Sequence, residues 1–238
     1  MSRRTNHLGQ RIGEPVPDWT TRPTPPRVPL EGRHCRLAPL SEAAHAARLH
    51  ERHRADPEGR NWTYLPYGPF ESPASYARWV RRAAAGSDPL FYAILDRPGD
   101  DPLGVASYLR IDPPMGSIEI GHLSFSPALQ RSTTATEALY LMIRHVFDDL
   151  GYRRCEWKCD RLNAPSVAAA KRLGFRYEGT FRQAVVTKGR NRDTAWFSIL
   201  DREWPALGAA LEAWLDPGNF DGDGRQRRRL ADLRPGRG

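Results

Sequence analysis

The sequence predicts a mixed α/β (α+β) domain in which helices lie on both faces of a mixed, mostly antiparallel sheet of about seven strands. Three observations carry that expectation. Strand-type and helix-type periodicities follow one another in the order β, α, α, β, β, β, α, β, α, β, β, α, without an internal repeat. The second to fourth strands are separated only by Pro/Gly/Asp clusters at hairpin spacing, the pattern of an antiparallel meander. A helix then joins the fourth strand to the fifth, and such a crossover makes those two strands parallel neighbours.

Each element has its own signal. Residues 1–29 hold Pro15, Pro17, Pro23, Pro25, Pro26 and Pro29, which block helix and central strand, so this stretch reads as an extended Pro/Arg-rich arm with Trp19 as its candidate anchor. The globular domain spans 30–215. Residues 33–40 alternate with Cys35 and Leu37 on one side, which suits a first, edge strand. Ser41 caps a helix carrying Ala43, Ala46, Ala47, Leu49 and His50 as a stripe, and the helix stops before Asp56-Pro57. Trp62, Tyr64, Tyr67 and Phe70 are laced with Pro and Gly and therefore form a loop, which either plugs the core or walls a substrate pocket. Ser72-Pro73 opens a second helix with Tyr76, Trp79, Val80 and Ala83 on one face and Gly86 past its end.

The meander strands are 90–95, 103–109 and 118–125. Residues 134–150 place Ala138, Leu141, Met142, His145, Val146 and Leu150 at helical spacing, and Gly151 ends that helix. A strand over 154–160 and a helix over 164–173, closed by Gly174, come next. Two long strands, 175–186 and 194–200, are joined by a turn at 188–191, and a last helix over 201–215 packs Trp204, Leu207, Leu211 and Trp214. Residues 216–238 read as a flexible basic tail.

Composition narrows the function classes. With 39% hydrophobic residues the chain can bury one sizeable core, but its apolar stretches are strand-sized, short of the roughly 20 residues that span a bilayer. The opening MSRRTNHLGQRIG lacks an apolar h-region, so the expectation is a protein neither secreted nor membrane-inserted. Cys35, Cys155 and Cys159 make no disulfide framework, which fits a reducing cytoplasm. Of the net charge of +8, the arm carries +3 and the tail +2, leaving a body with little excess. The basic excess thus sits largely in segments too poor in apolar residues to order themselves, and nucleic-acid binding is the less favoured reading.

Chemistry concentrates after the fourth strand. There Gln130, Arg131, Ser132, Thr133, Thr134, Ala135 and Thr136 place hydroxyls and a cation where a helix begins. Unpaired N–H groups of a first helical turn, the helix dipole and these donors suit an anion, although Ser and Thr there also serve as plain caps. Cys155 and Cys159 share a strand face without further ligands at metal spacing, so no metal is expected and they read as core thiols.

The strand IEIGHLSFSP, the loop Gln130 to Ala135, and Asn163-Ala-Pro-Ser166 ahead of Lys171-Arg-Leu-Gly174-Phe175 are similar to the GCN5-related N-acetyltransferases, in their RimJ/RimL-like branch. The resemblance covers roughly residues 30–200. Gln130 to Ala135 corresponds to the family's Q/R-x-x-G-x-G/A pyrophosphate loop, with Thr133 in place of a glycine that lets backbone approach the phosphates closely. The resemblance implies a sheet splayed between the fourth and fifth strands and transfer of an acetyl group from acetyl-CoA directly to an amine. Such a reaction needs a base for the ammonium and donors for the tetrahedral oxyanion.

The same resemblance implies roles for single residues. The backbone of Leu123, Ser124 and Phe125 would serve the thioester oxygen and pantetheine, Asn163 the pantetheine amide, and Lys171 or Arg172 a phosphate. Glu119 is the favoured base, acting through water, or else it pairs structurally with Arg36 or Arg110. Strict strand alternation puts His122, the rival base, on the opposite side. Ala170 stands where many members carry a tyrosine acid, which leaves Ser166 as the hydroxyl donor or leaves no acid. Val185 replaces a carboxylate that some ribosomal-protein acetylating relatives carry, which argues against that substrate.

Trp62, Tyr64, Tyr67, Phe70 and the turn at 188–192 would border the acceptor. Lys158 either faces that acceptor or, as favoured, is a solvated strand residue. The leading expectation is an N-acetyltransferase acting on a protein N-terminus or a small-molecule amine. A non-catalytic acyl-CoA-binding protein and a nucleic-acid-associated protein using Arg225 to Arg229 are the alternatives. A homodimer is compatible with the sequence and not decided by it.

Overall fold

Two-residue alternation produces the strands β1 (Leu30–Glu31), β2 (Cys35–Pro39), β3 (Leu90–Asp96), β4 (Pro102–Asp112), β5 (Ser117–Phe125), β6 (Arg154–Asp160), β7 (Arg176–Thr187) and β8 (Arg190–Leu200). Helical spacing produces α1 (Glu42–His53), α2 (Pro73–Ala85), α3 (Thr133–Arg144), α4 (Ala164–Leu173), α5 (Trp204–Leu215) and the short α6 (Leu230–Leu233). The computed structural model describes residues 4–97 and 99–234, in which the strands form one eight-stranded sheet in the order β1-β2-β3-β4-β5-β6-β8-β7. Every neighbouring pair is antiparallel except β5 and β6, which are parallel across the α3 crossover.

The caps form as the sequence indicates. Ser41 accepts from the Ala44 N–H, Ser72 and Ser75 form a reciprocal capping box, and Gly174 ends α4 in the left-handed region. One face of the sheet packs Tyr92, Tyr108, Ile118, Ile120 and Phe197 against α3, α4 and α5. The other packs Phe91, Ala93, Leu95 and Val105 against α1, α2 and the aromatic loop.

Several boundaries differ from expectation for identifiable reasons. The two-residue β1 adds a strand to the seven. The last hairpin is tighter than 188–191, because Lys188 and Gly189 both take positive φ and turn the chain within two residues, so β8 starts at Arg190. The final helix starts at Trp204 rather than at 201.

The arm and tail regions also have structure. Trp19 donates its indole N–H to the Pro114 carbonyl, and its ring lies against Gly116, where a side chain would collide with it. After α5 a short 3-10 turn leads to Asn219, which bonds to the Trp214 and Arg228 carbonyls, and Leu230 is only 2% exposed within the main core. The first three residues of the arm and the last four of the tail lie outside the described residues.

Candidate active site

The parallel pair is short. Only Ser117–Glu119 pair with Arg154–Glu156, while β5 runs on to Phe125 and β6 to Asp160 without meeting again. The far edge of β5 stays bonded to β4 and that of β6 to β8, so the two strands diverge as a wedge and their facing backbone edges are open. Leu123, Ser124 and Phe125 lie on the open length of β5.

The turn out of β5 builds one lip of the wedge. Gln130 donates its side-chain amide to the Phe125 carbonyl at 3.0 Å, and Arg131 crosses into the left-handed region. Ser132 is the N-cap of α3: its hydroxyl accepts from the Ala135 N–H at 3.0 Å and donates to the Leu129 carbonyl at 2.6 Å. Thr136 is buried and donates back to the Ser132 carbonyl. These two hydroxyls are engaged inside the protein. The N–H groups of Thr133 and Thr134 meet no carbonyl among the described residues and, with Arg131, remain the outward donors.

On the α1/α2 side of the wedge lies a buried ionic cluster. Oε2 of Glu119 accepts from Arg110 at 2.5 Å and lies 3.1 Å from the Lys158 ammonium, which also meets Glu156 at 2.6 Å and sits 3.7 Å over the Trp196 ring. Glu119 thus pairs with Arg110, while Arg36 pairs with Asp100. Lys158 is corrected: its side chain is 5% exposed and is not a solvated strand residue, because its register places it between two carboxylates. Oε1 of Glu119 points along β5, 3.4 Å from where a Gly121 Cβ would stand. A hollow of about 470 Å³ adjoins the cluster at the closed end of the wedge, lined by Arg110, Ser117, Glu156, Lys158 and Trp196 among others.

The placement of His122 is a second correction. Strict alternation puts it opposite Glu119, but three steps of β5, from Gly121 to Ser124, run against two of β4, from Ser107 to Val105. His122 takes φ +52 at this bulge, and the extra residue resets the side-chain parity. His122 therefore faces the α1/α2 side as Glu119 does. Its ring stacks on Tyr67 at 5.6 Å with Nδ1 3.1 Å from the Tyr67 hydroxyl. Burial, then the charges of Arg110 and Arg192, push its pKa down to about 4, so the imidazole is neutral at pH 7.

The aromatic loop splits between the core and the surface of the wedge. Trp62 and Phe70 pack with Tyr76 and Trp79 as a plug, whereas Tyr67 reaches His122 and the Tyr64 hydroxyl donates to the Leu162 carbonyl beyond β6. Lys188 of the β7–β8 turn donates to the Trp62 carbonyl at 2.7 Å, closing the ring of segments around the wedge. Ser124 turns its hydroxyl toward α1, between His53 and Asn61, so only its backbone faces the wedge.

At the start of α4, Asn163 caps the helix by accepting from the Ser166 N–H, and the Ser166 hydroxyl accepts from the Trp157 indole at 3.0 Å. Cys35, Cys155 and Cys159 are buried free thiols. No group of three or more His, Cys, Asp or Glu among the described residues could hold a metal ion. Sequence reasoning missed Glu156 and Trp196 around Lys158, although Glu156 stands two residues before Lys158 on one strand and so shares its face. It also missed His53 and Asn61, which only the packing of α1 and of the turn after it brings to β5.

An acyl-CoA fits these residues: open N–H groups at the start of α3 and an unpaired strand edge are complementary to phosphates and to amide groups. The Acetyltransferase (GNAT) domain family matches residues 34–176. An uncharacterized N-acetyltransferase, p20, of Bacillus licheniformis is 31% identical over 113 residues, 48% of this chain and 63% of that protein, so this chain spans about three fifths of that curated relative. A crystal structure of a GCN5-related N-acetyltransferase from Brucella melitensis is 45% identical with a TM-score of 0.90, covering 92% of this chain and 99% of that one. A probable acetyltransferase of the GNAT family from Chromobacterium violaceum is 43% identical with a TM-score of 0.77, covering 83% and 98%. With the splayed parallel pair, the open start of α3 and these matches together, the chain belongs to the GNAT acetyltransferase family.

Proposed function

We propose that the protein is an acetyl-CoA-dependent N-acetyltransferase of the RimJ/RimL-like branch, acting in the cytoplasm on a primary amine of a protein N-terminus or a small molecule. The observation that carries this reading is the wedge between β5 and β6, with an anion-ready helix start on one side and a titratable cluster on the other. When bound, acetyl-CoA supplies the activated thioester. Residues 130–136 and Lys171 hold its phosphates, Asn163 its pantetheine, and backbone N–H groups of residues 123–125 its carbonyl oxygen.

The amine enters from the α1/α2 side, past Trp62, Tyr64, Tyr67 and Phe70. Glu119 takes the ammonium proton through water: Arg110 and Lys158 clamp Oε2, and Oε1 is directed toward the open part of β5. His122 is the second candidate base, supported by its neutral ring on the same face. The Ser166 hydroxyl, which accepts from Trp157 and also meets the Cys159 thiol, is the candidate donor to the departing thiolate.

Calorimetric titration with acetyl-CoA, followed in the same sample by thiol release over a panel of amines and peptides, tests the reading. Micromolar binding with release on one amine class is expected. Binding without release on any amine favours the non-catalytic alternative, and absence of binding refutes the proposal. The nucleic-acid alternative is tested by charge reversal at the exposed Arg225 and Arg227, because deleting the tail would remove Leu230 from the core.

A further inference from the structure

A second hollow lies behind the aromatic plug. It holds about 360 Å³, within the range of small-molecule sites, and among the described residues none of β5, β6 or β8 lines it. Its inner wall includes His53 of α1 and Tyr76 of α2, which are 6% and 1% exposed, with Trp62 and Phe70 beside them. Each of the first two brings a buried polar atom, His53 Nδ1 and the Tyr76 hydroxyl, that has no hydrogen-bond partner among the described residues. Burial holds the His53 imidazole at a pKa of about 4 and pushes the Tyr76 phenol up, so both groups are neutral at pH 7. Buried groups left unmet cost stability, and two at one hollow call for a partner there.

The tautomer of His53 follows from its other nitrogen. Asn61 donates its side-chain amide to the Ser124 hydroxyl at 3.1 Å, and His53 Nε2 lies 3.3 Å from the same oxygen. Ser124 is fully buried, and Nε2 is the one acceptor for its proton among the described residues. Nε2 therefore accepts, and the hydrogen sits on Nδ1, on the side of the ring turned from β5. The hollow thus has two neutral donors in its wall, the His53 Nδ1–H and the Tyr76 O–H. The C-terminal end of α1 stands beside it, and Asp56 and Glu58 outnumber Arg54 in its lining, so the setting disfavours an anion. We propose that this hollow is a ligand site for a compact, neutral, largely apolar molecule whose carbonyl oxygen accepts from these donors, while Trp62, Phe70, Pro57 and Pro69 enclose its body. The site does not rest on the proposed function, although the chain from Asn61 through Ser124 to His53 ties it to the open length of β5.

The competing account is that ordered water alone meets both groups. Benzamide, a neutral ring with a carbonyl oxygen, is the probe, titrated into the full chain and followed by calorimetry and by the long-range proton–nitrogen spectrum of the histidines. The His53 signals are assigned by their loss in His53→Phe. The free protein should show His53 as the Nδ1–H tautomer, and benzamide should move its Nδ1 signal saturably, with a Kd on the order of 1 mM or below. Benzoate should bind about threefold more weakly, because the end of α1 repels its charge. Tyr76→Phe deletes only the hydroxyl, so it should weaken benzamide binding about fivefold while Tm stays unchanged or rises. An Nε2–H tautomer, a His53 signal that benzamide leaves in place, or benzoate binding as tight as benzamide overturns the proposal. A fall in Tm for Tyr76→Phe with undiminished benzamide binding assigns the hydroxyl to ordered water and overturns it as well. None of these readouts uses acetyl-CoA, so their failure is distinct from failure of the transferase reading.

Discussion

Glu137 lies in α3 and is 5% exposed, yet its carboxylate contributes to the join between the sheet edge and the helix whose start is proposed to hold phosphate. It accepts from the backbone N–H groups of Arg33 at 2.9 Å, His34 at 2.6 Å and Cys35 at 2.8 Å, holding the turn between β1 and β2. Glu137→Ala removes all three acceptors. A buried donor left unmet costs about 1–3 kcal/mol, and hydrogen bonds to a charged group lie at the upper end. The Cys35 N–H is buried, whereas the other two lie in partly buried surroundings where water can replace part of the loss. The cost therefore comes to about 4 kcal/mol, or a fall in Tm on the order of 10 °C for a chain of this size. Urea denaturation with an unchanged m-value checks this figure. Gly32→Ala is a control expected to act in the same direction, because its Cβ would stand 2.5 Å from the Glu137 carboxylate. A loss below about 1 kcal/mol for Glu137→Ala would refute the reasoning, since it would mean that the turn relaxes or hydrates at little cost.

Other outcomes follow from the same geometry. Glu119→Gln should lower kcat by about 10²-fold or more while acetyl-CoA affinity stays within about twofold, and an unchanged pH-rate profile would assign Glu119 to structure alone. Thr133→Gly should preserve or tighten acetyl-CoA binding, because the outward N–H is kept and steric bulk is lost; a large loss in calorimetry would identify the hydroxyl as a phosphate ligand. His53 is buried and its pKa is pushed down from 6.5 to about 4 by burial, so the unfolded chain binds a proton in that window and the native protein does not. Stability from this group is complete above pH 6.5 and is lost as pH falls toward 4, by up to about 3 kcal/mol, and His53→Phe should flatten that part of a pH-dependent denaturation series.

Much of the fold was legible because its signals are local. The spacing of Ala138, Leu141 and Met142, the caps at Ser41 and Ser72, and the crossover before residue 154 each act within a few residues of chain. His122 was misplaced because alternation assumes unbroken register, and only pairing against β4 revealed an extra residue in β5. Lys158 was misread because nothing in RCEWKCD says that β5 brings Glu119 and β8 brings Trp196 to the face that Lys158 shares with Glu156. The start of α3 was recognised, but how its hydroxyls divide between cap and outward donor depends on hydrogen bonds formed only after the loop folds.

The sequence by itself determined the order of the main elements, the parallel pair, the capped helix start after β5 and the family resemblance, since these depend on periodicity, capping chemistry and short motifs. Tertiary structure alone decided that β8 lies between β6 and β7, that Glu119, His122 and Lys158 share one side of the wedge, and that the C-terminal Arg234 reaches α4. The physical reason is range. A side chain's face follows from local alternation only while the register is regular, but its partners come from residues tens of positions away, brought close by burial that no local segment encodes.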